Sequence, residues 1–356
     1  MQFETNSHGG WVVPANTAIP DGTEIPAWSD LGESCVLGAG CTLGVYCTLG
    51  AGCTLGVYCT LGDGCKIGAD CKFGAYCRLG YDCKLGDGCE LGDGCRLGAG
   101  CKFGDGCRLG YDCKLGNDCR LGASCTLGAS CTLGASCWLS SGCTLGSYCW
   151  LGNSCTLGND CRLGAGCTLG VYCTLGNDCR LGAGCTLGVY CTLGASCTFG
   201  DGCELGNYCR LGDGCTLGAY CKIGASCTLG ASCTLGASCT LGASCTLGAS
   251  CWLSSGCTLG SYCWLGNSCT LGNSCTLSNS CVLGAETQWV GVTVESWLTL
   301  ANVDGSGRQI KIVKHAEGVR VEAGCFQGTL EEFCIQAASE GKDRYVRVVS
   351  AIASTM

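Results

Sequence analysis

The sequence predicts an all-β solenoid of stacked parallel strands, followed by a small α+β segment. Three observations carry this. Cysteine stands at every sixth position from Cys35 to Cys281, 42 times without an insertion or deletion. The second residue after each cysteine is almost always Leu, with Ile67, Phe73, Phe103, Phe199 and Ile223 as large apolar substitutes. Beyond Gly284 the pattern stops and ordinary composition returns.

The hexad Leu-Gly-x-x-Cys-x has an inward and an outward logic. Leu and Cys are apolar and suit the inside. The residue after Cys is Thr, Lys, Arg, Glu or Trp and suits the outside. The series begins before the first cysteine. Val13-Pro14, Ile19-Pro20, Ile25-Pro26 and Leu31-Gly32 keep the same period, and Thr17, Thr23 and Ser29 then fall at the cysteine position. All three prolines of the chain lie here, where they are expected to blunt an open sheet edge. The chain therefore divides into an N-terminal segment (1–12), a solenoid (13–284) and a C-terminal capping or binding domain (285–356).

Composition narrows the classes. The chain has 356 residues, 44 Cys, 63 Gly and a formal charge of −8. Such a cysteine content marks disulfide-stapled secreted scaffolds in short chains, but this chain is long and its spacing strict. MQFETNSHGG has no basic start followed by an apolar run, and no stretch of 18 apolar residues occurs. The expectation is a chain that is cytoplasmic or assembled there, with no membrane partner.

The hexad pattern resembles the hexapeptide-repeat parallel β-helix family over about three quarters of the chain. That resemblance implies triangular coils of three hexads, about 15 coils in all, wound left-handed. It places Cys at the small inward position.

Three readings of the cysteines compete: free packed thiols, disulfides, and a metal site. A strand spacing of ~4.8 Å with parallel Cβ vectors fits bridges poorly. Thiolate ligation usually needs paired C-x2-C spacings, which are absent. Packing is the expected use, with no metal and no cofactor. A free thiol behaves as a small hydrophobe.

On the outside, nine basic residues between Asp63 and Arg120 share the stretch with nine acids, giving a local charge of zero. Nucleic-acid binding wants an uncompensated basic stripe, so no nucleic-acid partner is expected. Outward Thr columns raise an ice-binding alternative, and outward Trp138, Trp150, Trp252 and Trp264 a glycan-binding one. These four belong to a duplication, residues 123–159 and 237–273, offset by 114 residues or 19 hexads. Nineteen is not a multiple of three, so the second copy is rotated by one face. That suits a rod that tolerates lengthening better than one flat working face.

In the C-terminal segment, 297–301, 309–314 and 319–322 read as strands, the first two joined through Asp304-Gly305-Ser306-Gly307. Thr329 and Glu332 form a capping box before an apolar stripe, Gly341 ends that helix, and 343–354 reads as a second one. "GCFQGTLEEF" and the Tyr-containing last helix resemble the tails of uncharacterised phage and prophage hexapeptide proteins. Capping, self-association or a protein partner is expected here, with Trp289, Trp297 and Tyr345 as candidate exposed contacts.

Many proteins of the resembled family are acyltransferases, which implies a histidine base on a coil and an extruded loop. The two histidines, His8 and His315, lie outside the array, and no loop interrupts it. The expectation is a non-catalytic structural rod or spacer, with no catalytic residue to name.

Overall fold

The computed structural model describes residues 2–278, 280–289, 292–301, 309–315, 318–323 and 326–354. The chain divides into two compact units, Met1–Gly212 and Asp213–Met356.

In the first unit, strands of two or three residues run from Trp11–Val13 to Arg210–Leu211, three to a coil, making about eleven coils. From Trp11–Val13 to Thr192–Leu193 each pairs in parallel with the strand 18 residues on, as Val13 does with Leu31 and Thr60 with Arg78. The inward Leu and the Cys of every hexad are buried and the residue between them faces out. The coil repeat is the one the hexad spacing predicts.

Glycine before the turn has a steric cause. A Cβ at Gly44 would sit 2.4 Å from the backbone nitrogen of Ala27, in the coil below. Its N–H also donates to Ile25 O at 2.9 Å, again one coil down. Pro14, Pro20 and Pro26 occupy this position in the first coil, which has no coil beneath to clash with or to donate to. The same fact leaves that edge open, and a short strand, Glu4–Thr5, pairs antiparallel with Trp11–Val13 beside it. Ser140, Ser254 and Ser278 replace glycine elsewhere, and nothing in the structure explains how they are accommodated.

The second unit has about four coils of the same kind, ending later than Gly284. Gln288–Trp289 still pairs in parallel with Thr270–Leu271, and Trp289 takes the inward Leu position. The direction then reverses. Gln288–Trp289 pairs antiparallel with Val292–Ala301, which leads through Gln309–His315 and Gly318–Ala323 to Phe326–Thr329. This last strand was not expected from the sequence. The Asp304–Gly307 connection lies outside the described residues.

Two helices follow, α1 (Leu330–Ser339) and α2 (Asp343–Ala353). Thr329 caps α1 in the expected capping box, accepting from Glu332 N while Glu332 accepts from Thr329 N. Both helices pack on the antiparallel sheet around Ile310, Ile312, Val321, Phe333, Tyr345 and Val349. Tyr345 is thus a core residue at 3% exposure, and Trp289 is fully buried. This overturns their assignment as exposed contacts. An aromatic ring beside an open sheet face or coil end removes more apolar surface from water inside than any smaller residue. The side chain of Trp297 lies outside the described residues.

Candidate functional site

The inner surface is a set of thiol columns. All 42 array cysteines are buried free thiols. Within each unit and away from the ends of the series, a thiol sits against the cysteines one coil above and below, as Cys65 does between Cys47 and Cys83. Each thiol with a described partner also donates to the carbonyl 21 residues back, as Cys131 Sγ does to Gly110 O at 3.3 Å. The coil-to-coil backbone ladder does not engage that carbonyl. The thiol therefore packs as a hydrophobe and also satisfies a buried acceptor, which the sequence did not disclose.

Hydroxyls at the same position use a nearer acceptor. Thr17 Oγ1 donates to Pro14 O, three residues back, at 2.6 Å, and Cys35 Sγ reaches the same oxygen from above at 3.2 Å. Thr287 repeats the three-residue bond to Gly284 at the other end of the series. Contact with neighbouring thiols splits the columns: Cys65, Cys89 and Cys101 are pushed far up from the ordinary range, while Cys83, Cys107 and Cys119, which accept from the thiols above and below them, are pulled down. Burial keeps all the array thiols from reagents in solution. Among the described residues no cluster of His, Cys, Asp and Glu is arranged to hold a metal ion.

The outer surface corrects the picture of one mixed, neutralised face. Acids and bases are separated by their place in the hexad. Most of the acids stand at the turns, where several are spent on the backbone: Asp63 Oδ1 accepts from Tyr81 N at 2.7 Å and Asp93 Oδ1 from Tyr111 N at 2.8 Å. The bases stand on the strands and stack coil on coil. One column runs Lys66, Lys84, Lys102, Arg120 and then Trp138. A second runs Arg78, Arg96, Lys114. The third is interrupted by Glu90, which lies 4.0 Å from Lys72. The hexad position of each charge was legible in the sequence; summing the charges along the chain discarded it.

The second column borders a groove of roughly 460 Å³. One wall is the turn column Tyr58, Tyr76, Gly94, Asp112, and the floor carries Arg78, Arg96 and Lys114. Tyr58 and Tyr76 stack with centroids 5.4 Å apart and planes 11° apart. Both have positive φ, near 60°, which turns the rings out from the corner. The Tyr76 ring then lies over Gly94, where a Cβ would meet it at 2.6 Å. Glycine there gives the ring its place.

Trp138, Trp150, Trp252 and Trp264 are each about half exposed, as their outward position predicts. The Arg120 guanidinium lies 5.7 Å from the Trp138 ring centre. His8 stacks on Trp28 at 5.1 Å, and His315 is buried in the antiparallel sheet.

In the second unit the terminal sheet closes the coil end through Lys311. Its ammonium donates to Cys275 O at 2.5 Å, lies 3.7 Å from Glu322 and 5.1 Å from the Trp289 ring centre. Burial pulls the Lys311 pKa down against the attraction of Glu322, and burial pushes Glu322 up against the attraction of Lys311.

Eighteen-residue coils, two-residue parallel strands and a turn after each glycine define a hexapeptide-repeat β-solenoid. Residues 46–81 match the family model described as bacterial transferase hexapeptide (six repeats). Residues 114–157 and 155–189 match the one described as hexapeptide repeat of succinyl-transferase. Over these residues the repeats are those of the hexapeptide-repeat families. No curated protein matches the chain. Among the described residues no helix is long and apolar enough to cross a membrane.

Proposed function

We propose that the chain is a non-catalytic structural spacer, in which repeated coils set a length and the C-terminal sheet and helices close an end. The observation that supports this most is the unbroken hexad. From Val13 to Trp289 no residue is inserted, so no loop is extruded to shape an acceptor pocket, and no histidine stands on a coil. The named activity in the matched family descriptions, acyl transfer, has no general base to use on this array.

Closure is supported by Trp289 and Lys311, which bind the last coils and are not offered to a partner. A role in self-association or attachment, as in a phage particle, then falls to the remaining outer surface of the C-terminal part, where Ile335 is the large apolar side chain left exposed on α1. The test is insertion of further 18-residue coils at 176/177, with acyl-CoA turnover assayed in parallel. A spacer gains ~4.8 Å per coil by solution scattering and stays folded. Acyl-CoA turnover that disappears in His315→Ala refutes the reading.

A further inference from the structure

We propose that the groove along Arg78, Arg96 and Lys114 binds a linear anionic polysaccharide, a chain of uronate sugars. This goes beyond the spacer reading and stands or falls separately from it.

The floor of the groove is three cations in register, one per coil, so positive charge recurs every ~4.8 Å along a straight line. All three side chains are exposed, and among the described residues no ion pair reaches them. Like charges stacked at this spacing repel one another and gain from an extended polyanion that meets each in turn. Two of the three are arginines, whose planar fork matches a carboxylate with two parallel hydrogen bonds.

The wall decides between polyanions. Single-stranded nucleic acid is held by bases stacked on open aromatic faces. Here Tyr58 and Tyr76 cover each other and Tyr76 covers Gly94, which leaves no run of open ring faces for successive bases. What the wall presents is ring edges and phenol hydroxyls, which both donate and accept hydrogen bonds. That chemistry suits a ligand rich in hydroxyls. Asp112 continues the wall past Gly94 with a negative charge, so an anionic chain is kept on the strand column and off the corner.

The repeat supplies a neutral substitute for each cation. Thr60 and Thr132 occupy the same column directly before Arg78 and after Lys114. The test uses the full-length protein and isothermal titration with alginate oligomers, neutral dextran oligomers of equal length and oligothymidylate. The wild type binds alginate, and neither dextran nor oligothymidylate matches it. The triple variant R78T/R96T/K114T loses alginate affinity by at least about tenfold. K66T/K84T/K102T, which removes the same charge from another column, loses less than about threefold. Tyr76→Ser, a residue the turn position uses elsewhere, weakens binding without changing its salt dependence. Equal losses in the two triple variants overturn the proposal, since attraction is then unspecific. Failure of the wild type to bind alginate, dextran binding of equal strength, or preference for oligothymidylate each overturns it too.

Discussion

Replacing Cys131 tests what the thiol columns are for. Cys131 is buried, donates to Gly110 O at 3.3 Å and has Cys113 and Cys149 as column neighbours. Cys131→Ala removes a sulfur slightly larger than a methylene, worth about 1 kcal/mol of burial. It also removes a weak S–H···O bond worth about 0.5 kcal/mol. A void of one sulfur adds about 0.5 kcal/mol. The expected cost is ~2 kcal/mol. Cys131→Ser loses the same burial, but its hydroxyl can turn to Gly128 O, three residues back, as Thr17 does to Pro14. That bond returns about 1 kcal/mol, so serine costs less than alanine by roughly half. A solenoid's stability is a sum of local terms, so the effect is read locally. Native-state hydrogen exchange at the Thr132 and Trp150 amides, which bond across this coil and the next, quickens about thirtyfold in the alanine variant and a few-fold in the serine one. The Lys72 amide, several coils away, is unchanged. Serine costing as much as alanine refutes the account: the hydroxyl could not then use the near carbonyl, and the thiol bond would not be what selects cysteine.

Lys311→Ala strands Glu322 and the Cys275 carbonyl in a buried place and costs the second unit about 3 kcal/mol, measured by chemical denaturation, while Lys311→Met with Glu322→Gln recovers most of it. Glu322 has a raised pKa in the folded state, so its contribution to stability is greatest below the ordinary carboxyl range and falls as pH rises through the raised value; Glu322→Gln removes that fall, and its persistence in the variant sinks the assignment. The depressed Lys311 acts on the alkaline side with opposite sign, stability rising as pH climbs towards the ordinary lysine range. Deleting 159–176 removes one whole coil and leaves folding intact, whereas deleting a single hexad there keeps the core pattern but turns every downstream column by one face; chemical denaturation and proteolysis show the hexad deletion to be the less well tolerated, while alginate binding, whose groove lies upstream, is the same in both. Thiol titration of the native protein under non-reducing conditions finds few reactive groups, Cys334 among them because it is half-buried and not buried, and about forty after denaturation.

The hexad made most of the fold legible. A period of six with one apolar and one small inward residue fixes which side chains face in, and the coil length follows once strands pair three hexads apart. Proline in the first coil was tied to an open edge, but the steric reason that permits it there was not legible. Its place depends on the absence of a coil beneath, a fact about neighbours in space that period alone does not express. The thiol's acceptor was hidden for the same reason, since it lies 21 residues back and in another coil. Trp289 was one period beyond the apparent end, recognisable only if Thr287 is allowed to stand for cysteine. Tyr345 was unreadable because an irregular domain has no period to say which way a ring faces. The groove needed both a position in the hexad and a partner 18 residues on, which a count of charges along the chain removes.

The thiol columns also make unfolding a ratchet. While the coils are closed, the thiols are buried away from any oxidant. Once a stretch opens in an oxidising medium, dozens of equivalent sulfurs with equal claims on one another are released into a mobile chain, and pairing among them has an enormous number of wrong outcomes. Each wrong bridge ties together coils that must separate before they restack. The protein's lifetime outside a reducing environment is then governed by how rarely the first coil opens and not by the equilibrium between folded and unfolded chains.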